Sequence, residues 1–407
     1  MRTRCSADAQ RVAASRTVII AGAGIGGLTA AVALAQRGFR VVLIEQTQRL
    51  EEAGAGIQLP PNASRILIAL GLEHELRRYV VLPEQLRVLH ARTGKILAHA
   101  PLGRSAEQRY GAPWWVIHRG DLQAVLIDAV RTHPDIAVKL GTGVEDFVVH
   151  ANAVTVSTSS AHGIGEERGM ALIGADGLWS SLRRLVGGRG EPRFARHCAW
   201  RALIAAEGLA EEARAPVVNL WLGHGAHLVH YPVRDRSLVN IVAIIRDHWQ
   251  ERGWTAPGDR GELLARFPVP SWPQPARGLL EAPQSWRRWA LFDCAPFSKW
   301  GKGPVTLLGD AAHPMLPYLA QGAAAAIEDA ALLALRLGEV PADAAAAMRR
   351  YERERRPRTA RIQRAARRNG AIYHMGGAAA LARTVALTAM GGSRMLTGYD
   401  WLYGWRT

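Results

Sequence analysis

A strand, a glycine-rich turn, a helix and a second strand follow one another between Thr17 and Glu45, and this order restricts the fold more than any other segment. The first strand is the β-branched run TVIIA, the turn reads GAGIGG, and the second strand reads FRVVLIE. The helix between them, LTAAVALAQRG, ends at Gly38. Such a sequence folds as a parallel βαβ unit, so it predicts a Rossmann-like α/β domain.

The turn carries the pattern G-x-G-x-x-G at Gly22, Gly24 and Gly27. The first glycine permits the tight turn, the second lets the backbone approach a pyrophosphate, and the third lets helix and strand pack closely. Glu45 follows at a strand end, where its carboxylate can accept hydrogen bonds from an adenosine ribose. An acid there favours a free 2′-hydroxyl, and so FAD or NAD rather than NADP. The predicted dinucleotide site also includes Ile25, Gly26 and Gln46.

Two later segments each contain a strand that ends in an aspartate and is followed by a helix. One ends at Asp176, and the other comprises residues 304–337, with a strand at Val305–Leu308 and a break at Asp310. Unpaired N–H groups and the positive end of the helix dipole favour the anionic acceptor atoms of a polar ligand there. An ordinary βα connection would have the same local sequence, so the ligand must be identified from the rest of the chain.

Two connecting segments are candidates for close approach to such a ligand. The loop GAGIQLPP at residues 54–61 is small and rich in glycine and proline, and Asn62 is expected to cap the helix that follows it. Arg119 stands just before another helix, where its guanidinium could reach a phosphate. A plain connector and a surface arginine are the alternative interpretations.

The middle of the chain differs in character from the βαβ units. Residues 80–112 and 189–294 contain short alternating runs such as WRALIAA and AHLVHYPV, which are typical of antiparallel strands. Six of the 13 tryptophans lie between Trp200 and Trp286. Tryptophan usually belongs to a core, although it also suits a pocket for a flat ring.

The formal net charge of +16 raises the possibility of a nucleic-acid partner. Residues 349–368, however, hold ten arginines and two glutamates, which is half of the excess. Pairs at i,i+4 spacing, Glu352 with Arg356 and Glu354 with Arg358, predict a solvated, salt-bridged helix. Because this segment contains no aromatic stacking residue beyond Tyr351 and no nucleic-acid motif, no specific nucleic acid is expected.

Three scattered cysteines show no metal-ligand spacing, so no metal is expected, and they fit a reducing, cytoplasmic location. The basic N-terminus lacks the apolar region of a secretory signal. No run of 18 apolar residues is present, so no membrane span is expected.

Three motifs in order carry a family resemblance: GAGIGG with Glu45, GADG at residues 174–177, and GDAAHP at residues 309–314. The set resembles the single-component flavoprotein aromatic hydroxylases, the family of salicylate hydroxylase and 3-hydroxybenzoate 6-hydroxylase. The segments GAGIQLPPNASRIL, HRGDLQAVL, HLVHYPVR, MLPYLAQGA and YDWLYGW resemble the same branch, so the similarity extends from Thr17 nearly to the end.

The resemblance implies FAD as a bound prosthetic group and NAD(P)H as a transient co-substrate, with NADH favoured. It places Asp310 on the ribityl chain, Asp176 beside the pyrophosphate and the nicotinamide approach, and Arg119 on the FAD phosphates. The backbone facing the isoalloxazine is implied to include Pro314, Gln321, Gly322 and Ala323. The helix that begins there would stabilise negative charge on the reduced flavin.

The implied reaction is the hydroxylation of a phenolic or hydroxy-acid substrate with O2, through a flavin C4a-hydroperoxide. His227 and Tyr231 are four residues apart on a predicted strand and share a face, so they are the candidate catalytic pair, whereas His230 points the other way. Related hydroxylases use a His and a Tyr at this spacing. Tyr318 is a third candidate pocket residue. The sequence leaves open whether His227 is catalytic or structural.

The predicted fold class is α/β: a Rossmann-like FAD-binding domain interleaved with a mainly β-sheet substrate domain, and a helical C-terminal region. Its predicted segments are a disordered extension (1–15), the FAD domain (16–79, 113–188 and 295–345), the substrate domain (80–112 and 189–294) and the C-terminal region (346–407). A monomer or homodimer is expected. The alternative functions are epoxidation or oxidative decarboxylation of a quinone precursor or natural product, and a non-catalytic FAD-binding role.

Overall fold

The structure is a computed structural model that describes residues 16–407 apart from 51–53, 254, 273, 275 and 391. The extension proposed for residues 1–15 therefore lies outside the described residues. The strands, in chain order, are β1 (Thr17–Ala21), β2 (Arg40–Ile44), β3 (Gly56–Leu59), β4 (Gln85–His90), β5 (Ile96–Pro101), β6 (Trp115–His118), β7 (Ile136–Lys139), β8 (Thr142–Val149), β9 (Val154–Ser160), β10 (Gly163–Gly169), β11 (Ala171–Gly174), β12 (Arg193–Ala205), β13 (Val217–Leu222), β14 (Ala226–Val233), β15 (Leu238–Arg246), β16 (Ala256–Gly258), β17 (Trp286–Asp293), β18 (Gly301–Lys302) and β19 (Val305–Leu307). The helices, in chain order, are α1 (Ile25–Ala35), α2 (Pro61–Ala69), α3 (Glu73–Leu76), α4 (Gly103–Tyr110), α5 (Arg119–Thr132), α6 (Ser181–Leu185), α7 (Glu211–Arg214), α8 (Arg260–Ala265), α9 (Ala276–Glu281), α10 (Gly322–Glu339), α11 (Ala344–Tyr373), α12 (Gly377–Ala389), α13 (Gly392–Thr397) and α14 (Asp400–Tyr403).

A six-stranded sheet in the order β18-β19-β11-β1-β2-β7 carries the glycine turn. β1 pairs in parallel with β2 and β11, and β11 pairs in parallel with β19. Helices cover the sheet, which explains the continuous apolar runs of its strands. The carboxyl ends of β2, β11 and β19 meet at one edge, so Glu45, Asp176 and Asp310 all follow strands of the same edge.

An eight-stranded sheet in the order β16-β17-β12-β15-β14-β13-β4-β5 forms the second layer of the molecule. Its neighbours are antiparallel except for β13 and β4, which pair in parallel. β4 and β5 precede β7 and β11 in the chain, so the two sheets are interleaved as predicted. The α/β fold class with its sheet domain is confirmed, while the residue boundaries of the domains stay a prediction.

The two faces of the eight-stranded sheet have different partners, because side chains alternate along a strand. One face packs under α8 and α9 in a core that includes Trp200, Leu228 and Trp286. The opposite face packs against the segment that follows β19, in a smaller cluster that contains Ile244, Trp289, Leu316 and Tyr318. This inner face therefore forms one wall of the crevice between the two sheets.

α11 links the two sheets and continues through Pro357 without a break in the helix. Near its start, the Tyr351 hydroxyl donates to the Leu307 carbonyl at 3.1 Å, at the end of β19. Further along, Gln363 Nε2 donates to the Pro314 carbonyl at 2.8 Å. The helix ends at Tyr373, next to the inner face of the second sheet, so it connects the glycine domain with the crevice.

The arginine-rich segment is helical as expected, but only one face of it is solvated and the opposite face is buried. Arg355 is fully buried, and its guanidinium contacts Asp329 Oδ1 at 2.5 Å and Glu328 Oε2 at 2.6 Å. Neither i,i+4 pair forms as predicted: Glu354 instead binds Arg336 and Arg350, and Arg358 binds Glu328. Arg355 and Arg358 are therefore paired with carboxylates on α10, which lie 26 to 30 residues away in sequence.

The role predicted for Asn62 is also wrong. α2 begins at Pro61 with Pro60 as its cap residue, because proline is preorganised for the first helical position. Asn62 is buried, and its Nδ2 donates to Gln321 Oε1 at 3.0 Å and Glu328 Oε1 at 2.6 Å. Its amide thus fastens the loop before α2 to the start of α10.

The aromatic C-terminus docks on the body as its composition indicates. Tyr403 packs against Trp114 with ring centroids 4.8 Å apart, and the guanidinium of Arg358 lies 5.2 Å from the Trp405 ring centroid. None of the helices in the described part of the chain is long and apolar enough to cross a membrane.

Candidate active site

The three glycines of the turn have three different environments. Gly22 has φ +107°, and a Cβ there would overlap the Ala175 carbonyl of β11's C-terminal loop. A Cβ on Gly27 would overlap the Gly22 carbonyl. A Cβ on Gly24, in contrast, would meet no atom within 4 Å. Two glycines thus serve the fold, and only Gly24 leaves its backbone open for a ligand.

Glu45 lies at the end of β2, directly beside this turn. Its Oε2 accepts a hydrogen bond from the Ala23 N–H at 2.8 Å, and its Oε1 accepts from the Thr47 N–H at 2.9 Å. The side chain of Ile25 is buried, and a Cβ on Gly26 would press against Leu308 at 2.8 Å. These two residues therefore present only backbone to the crevice. The neighbouring side chain of Gln46 is exposed.

Asp176 uses its carboxylate locally. Oδ1 accepts from the Ser180 hydroxyl at 2.6 Å, and Oδ2 accepts from the Leu182 N–H at 3.1 Å, so Asp176 holds the start of α6. Gly177 beside it has φ +74°, and a Cβ there would meet nothing within 4 Å. At this point of the sheet edge, the backbone of Gly177 is therefore open to a ligand, whereas the carboxylate of Asp176 is already hydrogen-bonded.

Asp310 and Arg119 are brought together although 190 residues separate them in the chain. Desolvation in the crevice raises the pKa of Asp310, against the opposing positive charges of His313, Arg119 and Arg183. Desolvation lowers the pKa of Arg119, and the carboxylate of Asp310 opposes that change. The Arg119 N–H donates to the Ala55 carbonyl at 2.7 Å, which fixes the loop of residues 54–59 against α5.

The start of α10 forms the floor of the crevice. Gln321 is buried, and its Nε2 has no hydrogen-bond partner among the described residues. Gly322 begins the helix, and a Cβ there would meet nothing within 4 Å, while the adjacent Ala323 is half-buried. The Pro314 carbonyl is held by α11, as described above. The His313 side chain is buried, and its Nε2 donates a hydrogen bond to Asp329 Oδ2 at 2.5 Å.

These features fit a dinucleotide with a flavin ring. The open glycines 24, 177 and 322 all line one crevice, at the carboxyl edge of the parallel sheet where such ligands bind. An unpaired buried amide and the N-terminus of an 18-residue helix lie at the start of α10. The helix dipole there favours negative charge.

The inner face of the second sheet carries the candidate catalytic residues. Register places His227 opposite Ile244, Val229 opposite Val242, and Tyr231 opposite Asn240. His227 and Tyr231 are therefore on one face, as predicted, and both are buried. Tyr318 belongs to the segment after β19, which packs on this face, and its ring centroid lies 5.6 Å from that of His227. His230 lies on the opposite face, stacked on Trp221.

Tyr231 and His227 have separate surroundings at the two ends of this face. Asn240 Oδ1 accepts a hydrogen bond from the Gly56 N–H at 2.7 Å, and a Cβ on Gly56 would lie 2.7 Å from the Tyr231 ring. The loop of residues 54–59 therefore packs directly on Tyr231. Burial raises the pKa of the Tyr231 hydroxyl, and Arg201 acts against this shift.

Arg201 is a site residue that the sequence reasoning missed. It pairs with Val242 in the register of β12 and β15, so it shares the face of His227 and Tyr231. Its guanidinium carbon lies 3.6 Å from the Trp289 ring centroid. Its Nε has no partner among the described residues, and burial, followed by the charge of Arg119, lowers its pKa to about 9. The alternation in WRALIAA is the signal that would have placed this cation on the inner face.

His227 has histidine partners that no sequence pattern indicates. Its Nδ1 lies 2.7 Å from His374 Nε2, and His374 Nδ1 lies 3.0 Å from His197 Nε2. His374 comes directly after α11, and His197 lies on β12. Burial, followed by the two neighbouring imidazoles, holds the pKa of His227 well below 6.5, so the ring is neutral at physiological pH.

A Rossmann-like domain and an antiparallel sheet that share one crevice define a dinucleotide-binding protein. The chain belongs to the FAD binding domain family, whose model matches residues 15–366. The resemblance to the flavoprotein aromatic hydroxylases is confirmed by a relative. The chain is 37% identical to 3-hydroxybenzoate 6-hydroxylase of Klebsiella oxytoca over 388 residues, which is 95% of this chain and 96% of that protein.

Solved structures share the whole architecture. One is HpxO of Klebsiella pneumoniae complexed with FAD and uric acid, with a TM-score of 0.84, 28% identity and coverage of 95% of this chain and 96% of that chain. A substrate complex of salicylate hydroxylase has a TM-score of 0.80 and 26% identity, covering 96% of this chain and 95% of that chain.

Proposed function

We propose that this protein is an FAD-dependent monooxygenase that hydroxylates an anionic phenolic ring, with NAD(P)H as electron donor, NADH favoured, and O2 as oxygen source. The observation that carries the proposal is the crevice itself. One wall is a glycine-lined dinucleotide cradle, and the other wall presents a neutral imidazole, His227, and a cation, Arg201. Between them stands Tyr318, at the end of the segment that follows β19.

The proposed cofactor contacts combine the family resemblance with the surroundings of each residue. Gly24 and Glu45 would hold the adenosine and pyrophosphate end, together with the backbone of Ile25 and Gly26 and the exposed Gln46. Arg119 and Asp310 would hold the middle. Pro314, Gln321, Gly322 and Ala323 would hold the ring, and Gly177 with Asp176 would border the nicotinamide approach. Bound FAD supplies oxygen transfer to the substrate; the protein supplies binding, orientation and proton handling.

His227 is placed to take the proton of the substrate hydroxyl. A neutral imidazole is the form that accepts a proton, and burial keeps His227 in that form. Removal of the proton makes the ring more electron-rich and so more reactive towards an electrophilic oxygen. The wall formed by Leu316, Tyr318 and Trp289 excludes water from the reacting atoms.

Arg201 favours an anionic substrate. A cation that is desolvated, stacked on Trp289 and unpaired at Nε attracts a carboxylate or phenolate strongly. The relative from Klebsiella oxytoca is named for a hydroxybenzoate, which agrees with this chemistry. The proposed substrates are therefore hydroxybenzoates and related aromatic acids.

A substrate panel tests the proposal directly. FAD-loaded protein is mixed with NADH and with hydroxybenzoates, hydroxynicotinates or uric acid, while NADH oxidation, peroxide and product mass under labelled O2 are followed. We expect an aromatic acid to accelerate NADH oxidation and to gain one labelled oxygen atom. Product that has lost CO2 or gained an epoxide would favour the alternative reactions, and the absence of any stimulation would support a non-catalytic FAD-binding role.

Gly24→Ala is expected to weaken FAD binding by at least tenfold while the fold persists. The new methyl group meets no protein atom but occupies the space in front of the turn, where the pyrophosphate is proposed to lie. The measurement is FAD titration by fluorescence, with the melting temperature of the apoprotein as a check of folding.

Gly143→Ala is the matched control for this change. Gly143 lies on β8 of a separate three-stranded sheet, where a Cβ would make only ordinary contacts from 3.6 Å outward. Its FAD affinity should equal that of the wild type. Equal FAD affinity of the two variants would show that the pyrophosphate does not approach Gly24.

A further inference from the structure

Three histidines form a hydrogen-bonded row that begins at His227 and continues to the end of the inner face away from Arg201 and Tyr231. The row runs from His227 on β14 to His374 after α11 and then to His197 on β12, with N–N distances of 2.7 Å and 3.0 Å. His197 Nδ1 in turn lies 2.8 Å from the Ala195 carbonyl oxygen. His227 is buried, whereas His197 is partly exposed.

The carbonyl at the outer end fixes the proton positions in the whole row. A carbonyl oxygen only accepts, so Nδ1 of His197 carries a hydrogen and, in the neutral ring, its Nε2 is an acceptor. His374 must therefore donate from Nδ1 and accept at Nε2. His227 must then donate from Nδ1, which leaves the lone pair on its Nε2. No described residue hydrogen-bonds to that nitrogen.

Burial and the neighbouring positive charges disfavour protonation of the three rings before a substrate arrives. Burial, followed by His197, Arg246 and Arg383, lowers the pKa of His374 to about 3, and burial also lowers the pKa of His197, with Arg246 adding to the effect. The other titratable groups that face the rings are the hydroxyls of Tyr318 and Tyr373. No carboxylate hydrogen-bonds to these rings in the described part of the chain.

We infer that His227, His374 and His197 form a proton store that takes the hydroxyl proton of a bound phenol, moves it two rings away and returns it after oxygen transfer. This inference rests on the proposed function and assigns positioning and relay roles to two further residues, His374 and His197. The row is oriented so that its single open acceptor, Nε2 of His227, faces the substrate side.

Each transfer conserves atoms and charge. The substrate O–H bond breaks, the oxygen keeps the electron pair as a phenolate, and the proton bonds to Nε2 of His227. The Nδ1–H of His227 then passes to Nε2 of His374, and the Nδ1–H of His374 passes to Nε2 of His197. The phenolate and the imidazolium are opposite charges, so formation of one favours the other. At His197 the cation is partly solvated and donates to the Ala195 carbonyl.

The test measures phenolate formation on binding, by the ultraviolet difference spectrum of 3-hydroxybenzoate with FAD-loaded, NADH-free protein between pH 5 and 9. The wild type should form phenolate well below the pH at which the free phenol ionises, and a pH indicator in weak buffer should detect no proton release. His374→Phe and His197→Gln should raise the midpoint by at least one pH unit and lower kcat at least tenfold, with KM changed less than threefold.

His230→Phe is the matched control, because His230 is a buried histidine of the same strand on the opposite face, without hydrogen-bond partners among the described residues. It should behave as the wild type. FAD spectra and melting temperatures identify any variant that fails to fold. The proposed proton store would be overturned if the midpoint pH of phenolate formation were unchanged in both His374→Phe and His197→Gln. Release of a full proton by the wild type on substrate binding would overturn it as well. Failure of the wild type to hydroxylate any phenol would instead overturn the proposed function.

Discussion

Replacing His227 with alanine is expected to leave FAD bound and to lower hydroxylation of the best phenolic substrate by about 10²- to 10⁴-fold, the usual contribution of a positioned base. The change removes the imidazole proposed to face the substrate, and with it one end of the row of histidines. NADH should still be oxidised when substrate is present, because Arg201 and Tyr318, the other proposed substrate contacts, are unchanged. The reducing equivalents should then appear as peroxide rather than as product.

The measurement compares product, peroxide and NADH consumption for His227→Ala and for His230→Ala. The control removes an imidazole from the same strand but from the face that packs away from the crevice, stacked on Trp221. If His227→Ala forms product at the wild-type rate, His227 has a structural role only and the proposed base must be sought elsewhere on the sheet.

Arg355→Met is expected to destabilise the protein by about 3–5 kcal/mol, because it removes a buried cation from between two buried carboxylates. Burial acts to raise the pKa of Asp329, yet His313 and Arg355 outweigh it and hold that pKa below its ordinary value. Without Arg355, Asp329 would have to take up a proton or remain as a buried charge. Either outcome weakens the folded state.

The same substitution should reduce FAD retention. Asp329 Oδ2 accepts the Gly309 N–H at 2.8 Å and binds His313, so it holds both ends of the turn that carries Asp310. Glu328 likewise fastens Asn62 at the start of α2. The buried charges therefore support the backbone on both sides of the proposed flavin site.

Urea unfolding of Arg355→Met and Arg350→Met tests this prediction. Arg350 is on the same helix but half-exposed, and it pairs with Glu339 and Glu354 at the surface. Such pairs contribute about 0–1 kcal/mol, so its loss should shift the unfolding midpoint only slightly. Equal midpoints for the two variants would show that the buried network contributes no more than a surface pair.

Local sequence determined the dinucleotide domain almost completely. The roles of Gly22, Gly24 and Gly27 follow from steric rules that act within one turn, and the structure shows two glycines packed and one open. The acids at positions 45, 176 and 310 follow strands of one parallel sheet, so their meeting at one edge follows from the strand order alone. Alternation along a strand was likewise enough to place His227 and Tyr231 on one face.

Only the tertiary structure decided which distant groups meet at the site. His374 reaches His227 across 147 residues, and Arg355 reaches Glu328 and Asp329 across 27 and 26 residues. The sequence assigned the neighbouring Arg356 and Arg358 to local i,i+4 pairs, because local rules consider only the helix that contains them. A buried charge needs a partner that compensates for its loss of hydration. The packing of α11 against α10 determines which residue that partner is.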